Sequence, residues 1–127
     1  MSTGPSAPLR ILLADDYDGI RLVLKQFLGT VPNCEVCGEA TNGTDAVLKA
    51  RELAPDLVIL DISMPKQSGL EAARRIRQEL PKAKIIIMSQ HDPAQLLPSA
   101  REAGADACVD KSRTFADLLP TIVQLFS

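Results

Sequence analysis

The chain has 127 residues, 46% hydrophobic and 24% charged, with a net charge of −2, which amounts to one globular domain with no room for a second. That composition excludes a disordered chain, and the longest apolar runs fall far short of the roughly 20 residues a membrane helix needs. No basic cluster is present, so the chain lacks the electrostatic footprint of direct nucleic-acid binding.

Residues 1–8, rich in Ser, Gly and Pro, read as a flexible tail, which leaves residues 9–127 as the folded unit. The opening Met-Ser-Thr-Gly-Pro has neither a basic flank nor an apolar stretch, so a cytoplasmic location is expected. Residues 10–14 form a first apolar strand. Ile20, Val23, Leu24, Phe27 and Leu28 then fall on one face at helical spacing, and Pro32 marks a break. Residues 34–40 alternate, with Glu35, Cys37 and Glu39 on one face and Val36, Gly38 and Ala40 on the other, as in an edge strand wetted on one side. A second helix over 45–54 presents Ala46, Val47, Ala50, Leu53 and Ala54, and Pro55 closes it. Residues 57–60 have no polar face and predict a central strand. A third helix over 68–80 offers Leu70, Ala73, Ile76 and Leu80, and residues 84–88 are another fully apolar strand. Gly104, Ala105 and Asp106 read as the turn out of a fourth helix and residues 107–109 as a short last strand. Residues 115–126 make a fifth helix, with Thr114 and Asp117 as its cap pair. Pro98 and Pro120 lie beyond the first turn of helices four and five and predict a kink or a late start in each. The alternation as a whole is that of repeated βαβ units: a doubly wound α/β fold around a parallel sheet.

The cysteines, Cys34, Cys37 and Cys108, are odd in number and read as free thiols. Cys34 and Cys37 have C-x-x-C spacing, but they sit inside an alternating strand, whereas a redox pair opens a helix. A zinc site would need further ligands, and His91, the one histidine, lies in a distant segment. The cysteines are therefore taken as structural and His91 as a polar loop residue.

In an open parallel sheet, ligands bind outside the carboxyl ends of the strands. There the first strand delivers Asp15 and Asp16, the third Asp61, the fourth Ser89, and Lys111 follows the fifth. Each alone could be a helix cap or a solvated charge, but caps do not explain four strands delivering such groups to one rim. Three converging carboxylates repel one another unless a cation neutralises them. An oxygen-only ligand set suits a hard ion, and Mg²⁺ is favoured because it shares coordination with phosphoryl oxygens.

Asp15-Asp16, the run Asp61-Ile62-Ser63-Met64-Pro65, Ser89 and Lys111, in this order and spacing, resemble the signature of the response regulator receiver domain, over residue 10 to the C-terminus. The resemblance implies a flavodoxin-like five-stranded parallel sheet of order 2-1-3-4-5 with helices on both faces. It makes Asp61 the phosphoacceptor. Asp16, Asp61 and the Ser63 backbone carbonyl become ligands of Mg²⁺, with Asp15 acting through water. Lys111 becomes the cation paired with Asp61 and then with its phosphoryl group, and Ser89 the hydroxyl that moves to a phosphoryl oxygen. The implied donor is a phosphohistidine on a sensor histidine kinase or phosphotransfer protein, with small acyl phosphates able to substitute. The physics agrees: phosphorylating a carboxylate brings anions together, so countercharge and positioning are most of the task. Ser89-Gln90-His91-Asp92, and Lys111-Ser112 in place of a Lys-Pro pair, resemble the subfamily that precedes helix-turn-helix output domains. An output domain outside this chain is therefore implied, and a homodimer is compatible with the reading.

The chain also departs from the pattern. Cys108 stands three residues before Lys111, where receivers commonly carry Tyr or Phe, so the usual aromatic readout is weakened or carried elsewhere. Gln90 is placed to shield an acyl phosphate or bond to it. Two other readings compete. A phosphohydrolase using an aspartyl phosphate would need a second acid two residues after Asp61, and that position is Ser63. A degenerate receiver acting only as an interaction module is favoured by Cys108, but it has no need to keep carboxylates crowded. No P-loop is present, so direct use of ATP is not expected. The chain is accordingly read as a signalling phosphoacceptor that assists only its own phosphorylation and dephosphorylation, and not as an enzyme.

Overall fold

Five apolar stretches form one parallel sheet in the computed structural model, which describes residues 7–90 and 92–127. The strands are β1 (Leu9–Ala14), β2 (Cys34–Ala40), β3 (Leu57–Asp61), β4 (Lys84–Ser89) and β5 (Ala107–Asp110), in the order β2-β1-β3-β4-β5. Between them run α1 (Asp18–Gly29), α2 (Gly43–Leu53), α3 (Gly69–Glu79) and α4 (Pro93–Glu102); a single 3-10 turn, Lys111–Arg113, leads into α5 (Thr114–Leu125). This is the flavodoxin-like arrangement that the resemblance implied. His91 and the first six residues of the expected tail lie outside the described residues. Among those described, no helix is long and apolar enough to cross a membrane.

Side chains alternate across each strand, so the sheet fills two cores. Ile11, Leu13, Leu57, Ile59, Ile86 and Met88 face α1 and α5, where Leu24, Leu28, Leu118 and Ile122 meet them. Leu12, Val58, Leu60, Ile85 and Ile87 face α2, α3 and α4. The helices contribute mostly alanines to this second layer, among them Ala46, Ala50, Ala72, Ala73, Ala100 and Ala103, and small side chains let helix backbones lie close to the sheet. Strands β3 and β4 are buried along almost their whole length, as their unbroken apolar runs predict, and each fully buried Leu or Ile is worth about 1.5–3 kcal/mol.

Three expectations are corrected. Simple alternation puts Val36 on one face with Gly38 and Ala40, yet it packs with Cys34 in the α1/α5 core, while Gly38 meets Leu53 and Leu12 and Ala40 belongs to the other core. The cause is a β-bulge. Ile11 pairs with Val36 but Leu12 pairs with Gly38, leaving Cys37 as the extra residue. Second, of the kink or late start expected at each proline, the late start does not occur: α4 begins at Pro93 and α5 at Thr114. Pro98 and Pro120 are at least partly exposed, as are Ala94 and Ala116 one turn earlier, so each carbonyl left without a helix donor can bond to water. Third, Thr114 and Asp117 are not a cap pair. The Thr114 hydroxyl donates to the Lys111 carbonyl, and the Asp117 carboxylate accepts from the Arg113 guanidinium.

Two arginines tie off the pole of the sheet where the strands begin. Arg10 donates to the carbonyls of Leu53 and Ala54, at the end of α2. Arg77 donates to the carbonyls of Leu80, Pro81, Ala83 and Gly104 and to the Asp106 carboxylate, which also accepts from Ile85 N. One guanidinium thereby joins the end of α3, the start of β4 and the turn before β5. Arg77→Met keeps the aliphatic stem and removes these bonds; its urea midpoint is expected to fall by an amount worth about 2–3 kcal/mol, and an unchanged midpoint would show that the bonds carry no net stability.

Candidate functional site

Because β1 and β3 are neighbours, their carboxyl ends lie side by side, and Asp15 and Asp61 emerge next to each other. Lys111 follows β5 and reaches across the end of β4 to both. Its Nζ is 3.0 Å from Asp15 Oδ2 and 3.2 Å from Asp61 Oδ2, and the Lys111, Asp15 and Asp61 side chains are 11%, 5% and 7% exposed. The remaining oxygens accept from the backbone, Asp15 Oδ1 from Tyr17 N at 2.9 Å and Asp61 Oδ1 from Ser63 N at 3.4 Å. Asp16 is exposed, yet one carboxylate oxygen from each of Asp15, Asp16 and Asp61 lies within 4.8 Å of the others.

These groups do not balance. Burial, and then the neighbouring Asp15 carboxylate, push the Asp61 carboxyl above its ordinary range against the opposing pull of Lys111. Burial alone would lower the Lys111 ammonium, but Asp15 and Asp61 more than offset it and hold Lys111 above the usual lysine value. One lysine thus faces three carboxylates. The donor set is oxygen only, part buried and part open to water, and it fits a hard divalent cation such as Mg²⁺ that retains some of its waters.

The backbone under Asp61 is held by close approach. Ile62 N donates to the Met88 carbonyl, and Gly69 N donates to the Ile62 carbonyl. A Cβ on Gly69 would stand 2.3 Å from the Asp61 carbonyl oxygen, and one on Gly43 only 1.9 Å from that of Gln67; only glycine lets α2 and α3 start this close to the loop after β3. Within that loop Gln67 N donates back to the Pro65 carbonyl around Lys66, whose φ is +68°. The result is a cleft of about 220 Å³ bordered by Asp16, Tyr17, Asp61, Ile62, Ser63, Gln90 and Lys111.

Of the residues expected at the site, Asp15, Asp16, Asp61, Ser63 and Lys111 are brought together. Ser89 closes β4 fully buried, one residue from Gln90 in the cleft wall. Cys108 packs half-buried against the alanine-rich core, where burial raises its thiol. Cys34 and Cys37 are free thiols, also raised by burial. Sequence reasoning missed Gly43, Gly69 and Arg21, whose guanidinium donates to the Asp15 carbonyl at 2.6 Å. Gly69 did leave a signal, since a glycine opening a helix just after a serine cap is a poor helix former and calls for another reason to be there.

Residues 11–123 match the family model described as the response regulator receiver domain. The chain is 28% identical over 120 residues to the response regulator protein VraR of Staphylococcus saprophyticus, covering 94% of this chain and 57% of that protein. It thus spans little more than half the length of that relative. Among solved structures, a LuxR-family two-component response regulator from Aurantimonas superposes with a TM-score of 0.87 at 34% identity, covering 93% of this chain and 84% of that one. The CheX–CheY complex with BeF3 and Mg²⁺ from Borrelia burgdorferi superposes with a TM-score of 0.88 at 26% identity, covering 94% and 90%.

Carboxylate crowding has a measurable cost. A carboxyl raised on folding costs nothing below its unfolded pKa; the cost builds as the pH rises from that value to the folded one and is fully present above it. In metal-free buffer at neutral pH, Asp61→Asn, which keeps the shape and removes one charge, is therefore expected to raise the urea midpoint by an amount worth about 1 kcal/mol; a lower midpoint would contradict the crowding.

Proposed function

Because the chain belongs to the response regulator receiver domain family, we propose that Asp61 is its phosphoacceptor, taking a phosphoryl group from a phosphohistidine on a sensor histidine kinase or phosphotransfer protein. The observation that carries this reading is Lys111 Nζ held between the Asp15 and Asp61 carboxylates, with Asp16 completing an oxygen cluster at a cleft mouth. A structural salt bridge has no need of the third carboxylate or of the opening to solvent.

Asp16, Asp61 and the Ser63 backbone carbonyl would hold Mg²⁺, with Asp15 acting through water. When bound, the ion supplies the countercharge that lets one anion approach another. The Borrelia burgdorferi CheX–CheY complex, similar to this chain in fold, contains Mg²⁺ and supports this choice. Lys111 already lies 3.2 Å from Asp61 Oδ2, so it can shift from carboxylate to phosphoryl oxygen without leaving its place. The added charge and acceptor oxygens on Asp61 then offer Ser89 and Lys111 hydrogen bonds that exist only in the phosphorylated state, and a population shift at the cleft passes the signal on.

Residues 9–127 are the unit that switches, and a helix-turn-helix output domain outside this chain, in a cytoplasmic regulator, receives the signal. The unit turns over only its own phosphoryl group. Intact mass after incubation with Mg²⁺ and a small acyl-phosphate donor tests the reading. A gain of one phosphoryl group is expected, lost in Asp61→Asn and lost without metal; no gain in the wild type, together with no metal binding, would leave an interaction module with a receiver's shape.

A further inference from the structure

Asp15 and Asp16 sit on a loop only three residues long between β1 and α1, and one side chain ties that loop to its surroundings. Arg21, in the first turns of α1, turns back toward the strand end. Its Nη1 donates to the Asp15 carbonyl at 2.6 Å, its Nε to Glu39 Oε1 at 3.2 Å and its Nη2 to Asp18 Oδ1 at 2.5 Å. The side chain is 11% exposed, as little as that of Lys111. Glu39, near the end of β2, also accepts from Lys25 at 3.1 Å.

With Arg21 in place, every polar atom of Asp15 has a partner. Asp15 N donates to the Ala40 carbonyl, its carbonyl accepts from Arg21, Oδ1 accepts from Tyr17 N and Oδ2 pairs with Lys111. Asp16 comes next, so the peptide joining the two is fixed by the Arg21 bond on its carbonyl. An aspartate on a free three-residue loop would sample several orientations and lose entropy on binding an ion; one on a fixed peptide is largely preorganised. The charge of Arg21 does not explain its place, since Asp18 and Glu39 already neutralise it. What Arg21 adds is a direction for the carbonyl.

We propose that Arg21 is a positioning residue for the metal site: by holding the Asp15 carbonyl it sets the orientation from which Asp16 meets a divalent cation. This deepens the metal-site reading above and rests on it. Arginine suits the task because its planar fork donates in three directions at once, to a carbonyl and two carboxylates, which an ammonium on a flexible stem does less well.

The test is Mg²⁺ affinity, read by titrating the fluorescence of Tyr17, the single tyrosine in a chain without tryptophan, and repeated by calorimetry. The variants are Arg21→Gln, Arg21→Lys and Lys25→Gln, with thermal unfolding in chelator reporting the fold of each. Arg21→Gln is expected to weaken Mg²⁺ binding by about tenfold or more, the range found when a group that orients a ligand is lost. Arg21→Lys, which retains a donor and the charge, should lose less, and it carries the test if Arg21→Gln does not fold. Lys25→Gln disturbs the same Glu39 and leaves the Asp15 carbonyl alone, so its affinity should stay within about twofold of wild type, as for other exposed pairs. Saturating Mg²⁺ should restore the rate at which the acyl-phosphate donor labels Arg21→Lys, the mark of a binding defect. Wild-type affinity in both Arg21 variants, or an equal loss in Lys25→Gln, would overturn the proposal. A wild-type protein that shows no response to Mg²⁺ would overturn the metal site itself, and the role of Arg21 with it.

Discussion

A single ammonium group set between two buried carboxylates, with a third carboxylate at the rim, is the constraint on which the rest of this molecule depends. Lys111 reaches Asp15 and Asp61 only because β1 and β3 are neighbours and β5 ends close enough for a lysine to span the end of β4. The strand order is therefore part of the site's chemistry. Any order that separated β1 from β3 would leave two desolvated anions without a shared counterion, which a protein interior does not tolerate. One lysine against three carboxylates leaves a negative excess at that rim.

The two ends of the sheet do different work. Where the strands begin, Arg10 and Arg77 saturate helix-terminal carbonyls and bind the elements into one body. Where they end, polar groups are crowded, partly unbalanced and held by glycines that admit no side chain. Helix-end carbonyls are satisfied at one pole and carboxylates are crowded at the other, with two apolar cores between them. Pro98 and Pro120 fit the same division, since both fall on solvated helix surfaces, away from either core.

Much of this was legible in the residues. The unbroken apolar runs of β3 and β4 marked central strands because a strand buried on both faces has no polar side to show. The convergence of Asp15, Asp16, Asp61 and Lys111 followed from the rule that ligands sit at strand carboxyl ends. What escaped depends on three-dimensional neighbours. The bulge in β2 is invisible to a count of alternate residues, because it belongs to the pairing with β1. Thr114 and Asp117 had cap spacing, but Lys111 and Arg113 claimed them first. Nothing in the spacing of its helix singles out Arg21, and only the path of the loop before it brings a carbonyl within reach.

The bulge also says something about chain length. Strand β2 contains one residue, Cys37, that has no counterpart in β1, and the residues before and after it serve opposite cores. Deleting that one residue would leave a regular strand in which Cys34 and Val36 still face α1 and α5 while Gly38 and Ala40 still face α2. Most strands in a two-sided sheet cannot lose a single residue without turning half of their side chains inside out. This one can, so β2 is the point in the sheet where the chain can be one residue shorter and keep the same layers.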